Sequence, residues 1–232
     1  MAFNNPGNRF QRTTPVVLNL LIINILAFFA QKAFAGNDAL TNVNDLFALH
    51  HYKAEVFRPY QLVTHMFMHA DIFHLLFNMF GLWMFGSNIE KVWGPRRFLI
   101  FYFVCGLGAA FAQMGSYAFD FWQIDHAEIG ADLYNQYQYA LRVSYTVGAS
   151  GAVMGVLAAF AYLFPNTELI IFPIPIPVKA KWAIAGIIAL DVFGGVSRIP
   201  GDNIAHFAHV GGALIGLLLV IIWNKTNKKT FY

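Results

Sequence analysis

The sequence predicts an all-α fold, a polytopic membrane bundle of six transmembrane helices. Three observations carry that expectation. Of 232 residues, 58% are apolar and 12% are charged, against roughly 45–50% and about 25% in a soluble chain. Mean hydropathy is +0.52, too high for a soluble core to absorb or for a disordered chain. Six apolar stretches approach the ~20 residues that a membrane helix needs. The single cysteine, Cys105, excludes an intramolecular disulfide framework and a Cys-based metal cluster.

Taken in order, the spans are Pro15–Ala30, Phe73–Ile89, Phe98–Gly115, Val147–Phe164, Trp182–Val196 and Ile204–Trp223. They divide the chain into a tail at 1–14, a membrane domain at 15–223 and a basic tail at 224–232. None shows a sustained polar face, the mark of a helix buried on all sides. The first span follows Arg9 and Arg12, and Ala33-Phe34-Ala35 resembles a signal-peptidase site. Asn19 and Asn24 interrupt its apolar run, and Gln31 and Lys32 flank the cut, so the span is expected to stay.

Basic residues orient the bundle, because cytoplasmic loops carry the excess of Lys and Arg. With the N-terminus inside, ten basic residues fall inside: Arg9, Arg12, Lys91, Arg96, Arg97, Lys179, Lys181, Lys225, Lys228 and Lys229. Five fall outside: Lys32, Lys53, Arg58, Arg142 and Arg198. Both termini are therefore expected in the cytoplasm, with the formal charge of +3 hiding a strong transverse polarity. Two outside connections are long, at 31–72 and 116–146. The first is rich in His and aromatic residues; the second carries Asp120, Asp125, Glu128 and Asp132, read as a solvated acidic face.

Polar groups at membrane depth are costly and are functional suspects by default. Gly148-Ala149-Ser150-Gly151 opens span four, where small neighbours leave the hydroxyl open and a helix N-terminus favours developing negative charge. Alone it reads as an N-cap serine. It also departs from the soluble-hydrolase elbow, because Ala152 stands where the last glycine belongs. His209 lies near the outer end of span six; alone it reads as a satisfied buried histidine. However, Gly151 with Gly155 and Gly212 with Gly216 are small-xxx-small pairs that let two membrane helices approach closely. If those spans pack, Ser150 and His209 meet at similar depth, the minimum apparatus of nucleophilic acyl transfer. His74 and Asn78 share one face of span two and can both donate to an oxyanion; the plain alternative is interhelical hydrogen bonding. His65, His69 and His74 are spaced like metal ligands, but no carboxylate or thiolate sits at matching spacing, although Asp71 is near. Asp191, in span five, reads as a helix-linking group. No metal and no cofactor is expected, and no basic stripe supports nucleic-acid binding.

Three motifs in this order resemble the rhomboid intramembrane serine proteases, in their bacterial six-span form. They are His74-xxx-Asn78 in span two, Gly148-x-Ser150-Gly151 opening span four, and Ala208-His209-xx-Gly212-xxx-Gly216 in span six. The resemblance runs from about Pro15 to Trp223 and includes Met66-Phe67-Met68-His69, Glu90, Gly94 and Arg97-Phe98. It implies Ser150 as nucleophile and His209 as general base in a dyad without an acid. It further implies an oxyanion hole of His74, Asn78 and the Ser150 backbone N–H. Gly148, Gly151, Gly155, Gly212 and Gly216 would pack the helices around the site. Two positions depart from the family pattern. Tyr60-Gln61 stands where many bacterial relatives have Trp-Arg, and Met154 stands where a well-studied branch has a tyrosine stacked on the histidine. The expected function is a serine endopeptidase cleaving in or near transmembrane segments of membrane proteins. Its partners are then transmembrane substrates and membrane lipid, and its place a bacterial inner membrane with the site opening outward; the sequence sets no oligomeric state. Aromatic residues such as Phe73, Trp83 and Phe193 are candidates for a substrate gate. The alternatives are an inactive relative that binds membrane clients, a small polytopic transporter, or a His-based metalloenzyme.

Overall fold

The computed structural model describes residues 14–34, 42–125, 131–171, 174–197 and 204–226. Arg9, Arg12, Ala35, Glu128, Arg198, Lys228 and Lys229 lie outside them, and of the tail placed at 224–232 the first three residues continue the last helix. Among the described residues, five helices are long and apolar enough to cross a membrane: α1 (Pro15–Ala33), α4 (Ile72–Trp93), α5 (Pro95–Asp125), α8 (Ala180–Ser197) and α9 (His206–Thr226). A sixth apolar helix, α7 (Ser150–Leu163), has only 14 residues. The chain is an integral, multi-pass membrane protein.

The span limits shift in instructive ways. α5 runs for 31 residues, about 46 Å at 1.5 Å per residue, well beyond a hydrocarbon core of about 30 Å. What reads in the sequence as a loop at 116–146 is thus the end of α5 followed by helix α6 (Ala131–Val143). Of the acidic residues there, Asp120 is exposed; Glu128 is outside the described residues, as are the side chains of Asp125 and Asp132. Span four begins at Ser150 rather than Val147. Two short antiparallel pairs also qualify the all-α expectation: β1 (Leu49–His50) with β2 (Tyr145–Thr146), and β3 (Glu168–Ile171) with β4 (Ile174–Lys179). The long first outer connection holds two short helices, α2 (Val43–Phe47) and α3 (Gln61–Thr64), the latter followed by a 3₁₀ turn at His65–Phe67.

Two devices fix the bundle. At one end, Pro15 occupies the first turn of α1, where its missing N–H costs nothing. The next two N–H groups, of Val16 and Val17, donate to the Glu90 carboxylate at 3.0 and 2.8 Å. Glu90 is buried, so an otherwise expensive charge caps a helix from a neighbouring one. Gly94, at φ +80°, then turns the chain from α4 into α5.

In the middle, α7 and α9 touch through backbone. A Cβ on Gly212 would collide with the carbonyl of Gly151, and one on Gly216 would lie 2.6 Å from Gly155 Cα. The pairs Gly151–Gly212 and Gly155–Gly216 share an offset of 61 residues. A constant offset means the two helices run parallel and in register. Asn224 donating to Tyr162 Oη at 3.2 Å keeps nearly the same offset at the far end. Cys105 of α5 seals the third side, 2.5 Å from where a Gly155 Cβ would stand.

Candidate active site

The register sets the depth of the candidate residues. Applying the 61-residue offset, His209 lies level with Gly148, about 3 Å along the axis from Ser150. Gly151 confirms the closeness, since a Cβ there would sit 3.3 Å from the Ala208 carbonyl. By the same count α7 begins about five residues, or ~7 Å, below the first turn of α9. Ser150 therefore starts its helix beneath the end of the bundle.

Gly148 is the pivot of the site. Its φ is +127°, a conformation that side chains avoid. A Cβ there would also meet the His74 ring, 2.7 Å from Cε1 and 2.8 Å from Nε2, and would lie 3.4 Å from Ser150 Oγ. The His74 imidazole and the Ser150 hydroxyl thus share the space over this glycine. The Gly148 N–H donates to the His65 carbonyl at 2.9 Å, which anchors the approach to α7. Ala149, not Ser150, is the N-cap of α7, and no side chain caps it. The first N–H groups of that helix, including that of Ser150, have no intrahelical acceptor.

His74 and Asn78 are on one face of α4, as their spacing requires. Asp71 caps α4 by accepting the His74 N–H at 2.9 Å. Asn78 is buried and commits one amide hydrogen to the His74 carbonyl at 2.8 Å, leaving its second donor. Behind His74 stands His69, ring to ring at 5.2 Å. Burial lowers His69 to a pKa of about 4, with His74 adding to the fall, and burial lowers His65 likewise to about 4. Both are neutral at pH 7, and His65 Nδ1 is already engaged by the Gln61 carbonyl at 2.8 Å.

His209 Nδ1–H donates to Asp191 Oδ1 at 2.9 Å, and His206 Nδ1–H donates to the same oxygen at 2.8 Å. Asp191 links helices as the sequence suggests, but the bond falls on the candidate base itself. His206 escaped sequence reasoning, although its three-residue spacing from His209 puts both on one helix face. Among the described residues no hydrogen bond joins Ser150 Oγ to His209; such contacts often tighten only around substrate. Met154, one turn after Ser150 on α7, is buried with Ala158 and Ala213 and packs beside Ile188. Phe73, Trp83 and Phe193 are all exposed on the bundle surface.

Gln61 was also undervalued. Fully buried, it donates through Nε2 to the carbonyls of Asp45 at 2.9 Å and Val56 at 3.0 Å. It holds the outer connection together, while Tyr60 beside it is exposed. Tyr117 Oη and Thr146 Oγ1, 2.7 Å apart, tie α5 to the strand before Gly148. Arg142 of α6 pairs with Asp45.

Fold and site together define a polytopic membrane protein with a serine and a histidine near the N-terminal ends of two parallel, glycine-packed helices. The rhomboid domain signature matches residues 56–225, and the chain belongs to the rhomboid family. It is similar to rhomboid protease AarA of Providencia stuartii, 27% identical over 90% of this chain and 72% of the relative. It is similar also to RHOMBOID-like protein 12, mitochondrial, of Arabidopsis thaliana, 31% identical over 93% of this chain and 60% of the relative. With the human presenilin-associated rhomboid-like protein, mitochondrial, identity is 32% over 68% of this chain and 38% of the relative. The chain spans less than two thirds of both mitochondrial relatives.

Proposed function

We propose that the protein is a serine endopeptidase that cleaves membrane proteins in or near their transmembrane segments. The observation that supports this reading is the α7–α9 register, which brings His209 level with Gly148 and within about 3 Å of Ser150 along the axis. Ser150 Oγ attacks the scissile carbonyl while His209 Nε2 takes its proton, the roles of serine and histidine in soluble hydrolases. The Ser150 N–H, His74 and the free amide hydrogen of Asn78 stabilise the oxyanion; one such donor is worth ~10²–10³ in turnover. His209 then protonates the leaving amine, and water releases the acyl-enzyme. This chemistry needs water at the serine, and the late start of α7 relative to α9 supports a route for it, since non-helical backbone at depth is tolerated where it lines water. A helical substrate must unwind there, so segments with small or helix-breaking residues are preferred.

The basic-residue asymmetry supports cytoplasmic termini and a site facing outward. Transmembrane segments and lipid are the partners this reading requires. The test is cleavage of a transmembrane substrate in liposomes by the wild type and by Ser150→Ala, with fluorophosphonate labelling alongside. Cleavage and labelling are expected to vanish in the variant, and unchanged cleavage would rule the mechanism out.

A further inference from the structure

Asp191 stands in a membrane helix, 7% exposed, where a carboxylate is retained only with partners. Two histidines of α9 supply them, both through Nδ1 and both onto Oδ1, at 2.8 and 2.9 Å. A carboxylate only accepts, so each ring carries its proton on Nδ1. For His209 this leaves Nε2 bare, the form that can take a proton from a serine. The opposite tautomer would present an N–H to Ser150 and could not act as base.

The second histidine separates a link from an orienting group. α8 carries Gly194 and Gly195 one turn after Asp191, and a Cβ on Gly194 would collide with the His206 ring. The glycine makes a seat for His206, which by itself joins α8 to α9 through Asp191. A helix link needs no second bond, yet the second falls on the candidate base.

We propose that Asp191 is a positioning residue for His209, its Oδ1 accepting Nδ1–H and so presenting Nε2 to Ser150, while the His206 bond serves the α8–α9 link alone. This rests on the protease reading for its catalytic consequence, though not for the pairing itself.

The experiment compares wild type, Asp191→Asn and Gly194→Ala in liposomes. It measures kcat and KM on a transmembrane substrate, the unfolding midpoint, and the His209 tautomer by ¹⁵N NMR. Asp191→Asn keeps the shape but not the charge. Its kcat is expected to fall ~10²–10⁴-fold at little-changed KM, as for an orienting aspartate in soluble enzymes, with loss of the Nδ1–H preference. Gly194→Ala disturbs the His206 seat, and should lower the midpoint while kcat stays within about 3-fold. Equal kcat losses in the two variants at matched midpoints, with the His209 tautomer unmoved, would make Asp191 a link alone and overturn the proposal. If the wild type neither cleaves nor labels at Ser150, the protease reading falls by itself. The tautomer then decides the pairing: Nδ1–H upholds it and Nε2–H overturns it.

Discussion

The α7–α9 contact and the outer connection at 42–71 are both tightly built, by opposite means. Between α7 and α9 backbone lies on backbone, with glycine at each crossing. In the outer connection, short helices and turns are joined by side chains: Gln61 to the Asp45 and Val56 carbonyls, Thr64 to the Phe47 carbonyl at 2.8 Å, Arg142 to Asp45. The difference follows from the two environments. Lipid gives two apolar helices no hydrophobic reason to associate, so they gain by close van der Waals approach and need small residues. Irregular backbone cannot satisfy itself, so the outer connection needs buried polar side chains aimed at its carbonyls.

The contrast makes graded predictions. The largest effect is expected of Gly212→Val, whose side chain has no room against the Gly151 carbonyl. α7 and α9 must separate, and a displacement of ~1 Å at a reacting pair can cost 10²-fold. Cleavage should drop at least that far, while Gly186→Ala, at a glycine with open space around it, leaves cleavage unchanged. A Gly212→Val protein with normal turnover would refute the register. Next comes Gln61→Leu, which strands the Asp45 and Val56 carbonyls. Each buried unpaired acceptor costs ~1–3 kcal/mol, so the unfolding midpoint should fall by several degrees. An unchanged midpoint would show that the connection holds without its central amide. Smallest is Arg142→Ala. Its side chain is 38% exposed, and an ion pair of that kind is worth ~0.2–1 kcal/mol. The change in midpoint should be slight and should fade at high salt.

Much of the bundle was legible because span length and apolarity are set by the bilayer itself. The α7–α9 packing was legible for a similar reason: Gly212-xxx-Gly216 and Gly151-xxx-Gly155 state close approach in plain spacing. The same motif fixed the relative depth of Ser150 and His209. What the sequence hid depends on the third dimension. The partners of Gln61 are carbonyls, which no residue identity reveals. Asp191 reads from its depth as a helix link, but the sequence does not show that it takes both His206 and His209, which share one face of α9. The reach of α5 beyond the membrane was hidden because Asp120 and Asp125 look like loop residues, although helix continues through them. Met154 packs with Ala158, Ala213 and Ile188, partners on three helices that its place one turn after Ser150 does not reveal.

Helix α4 carries His74 near one end and Glu90 near the other. Its stretch Leu82–Gly86 is a π-helical turn, which absorbs one residue more than an α-turn. At about 100° per residue, the 16 steps from His74 to Glu90 would leave the two side chains ~160° apart in azimuth. Removing one residue's rotation brings them to within ~60°. The turn is thus a phase shifter: it lets a single rod aim its outer half at Gly148 and its inner half at the N-terminus of α1. Deleting one residue within it would leave 15 α-helical steps and the same ~60°, with both ends still aimed, whereas deleting one elsewhere in α4 would rotate one end by ~100° away from its target.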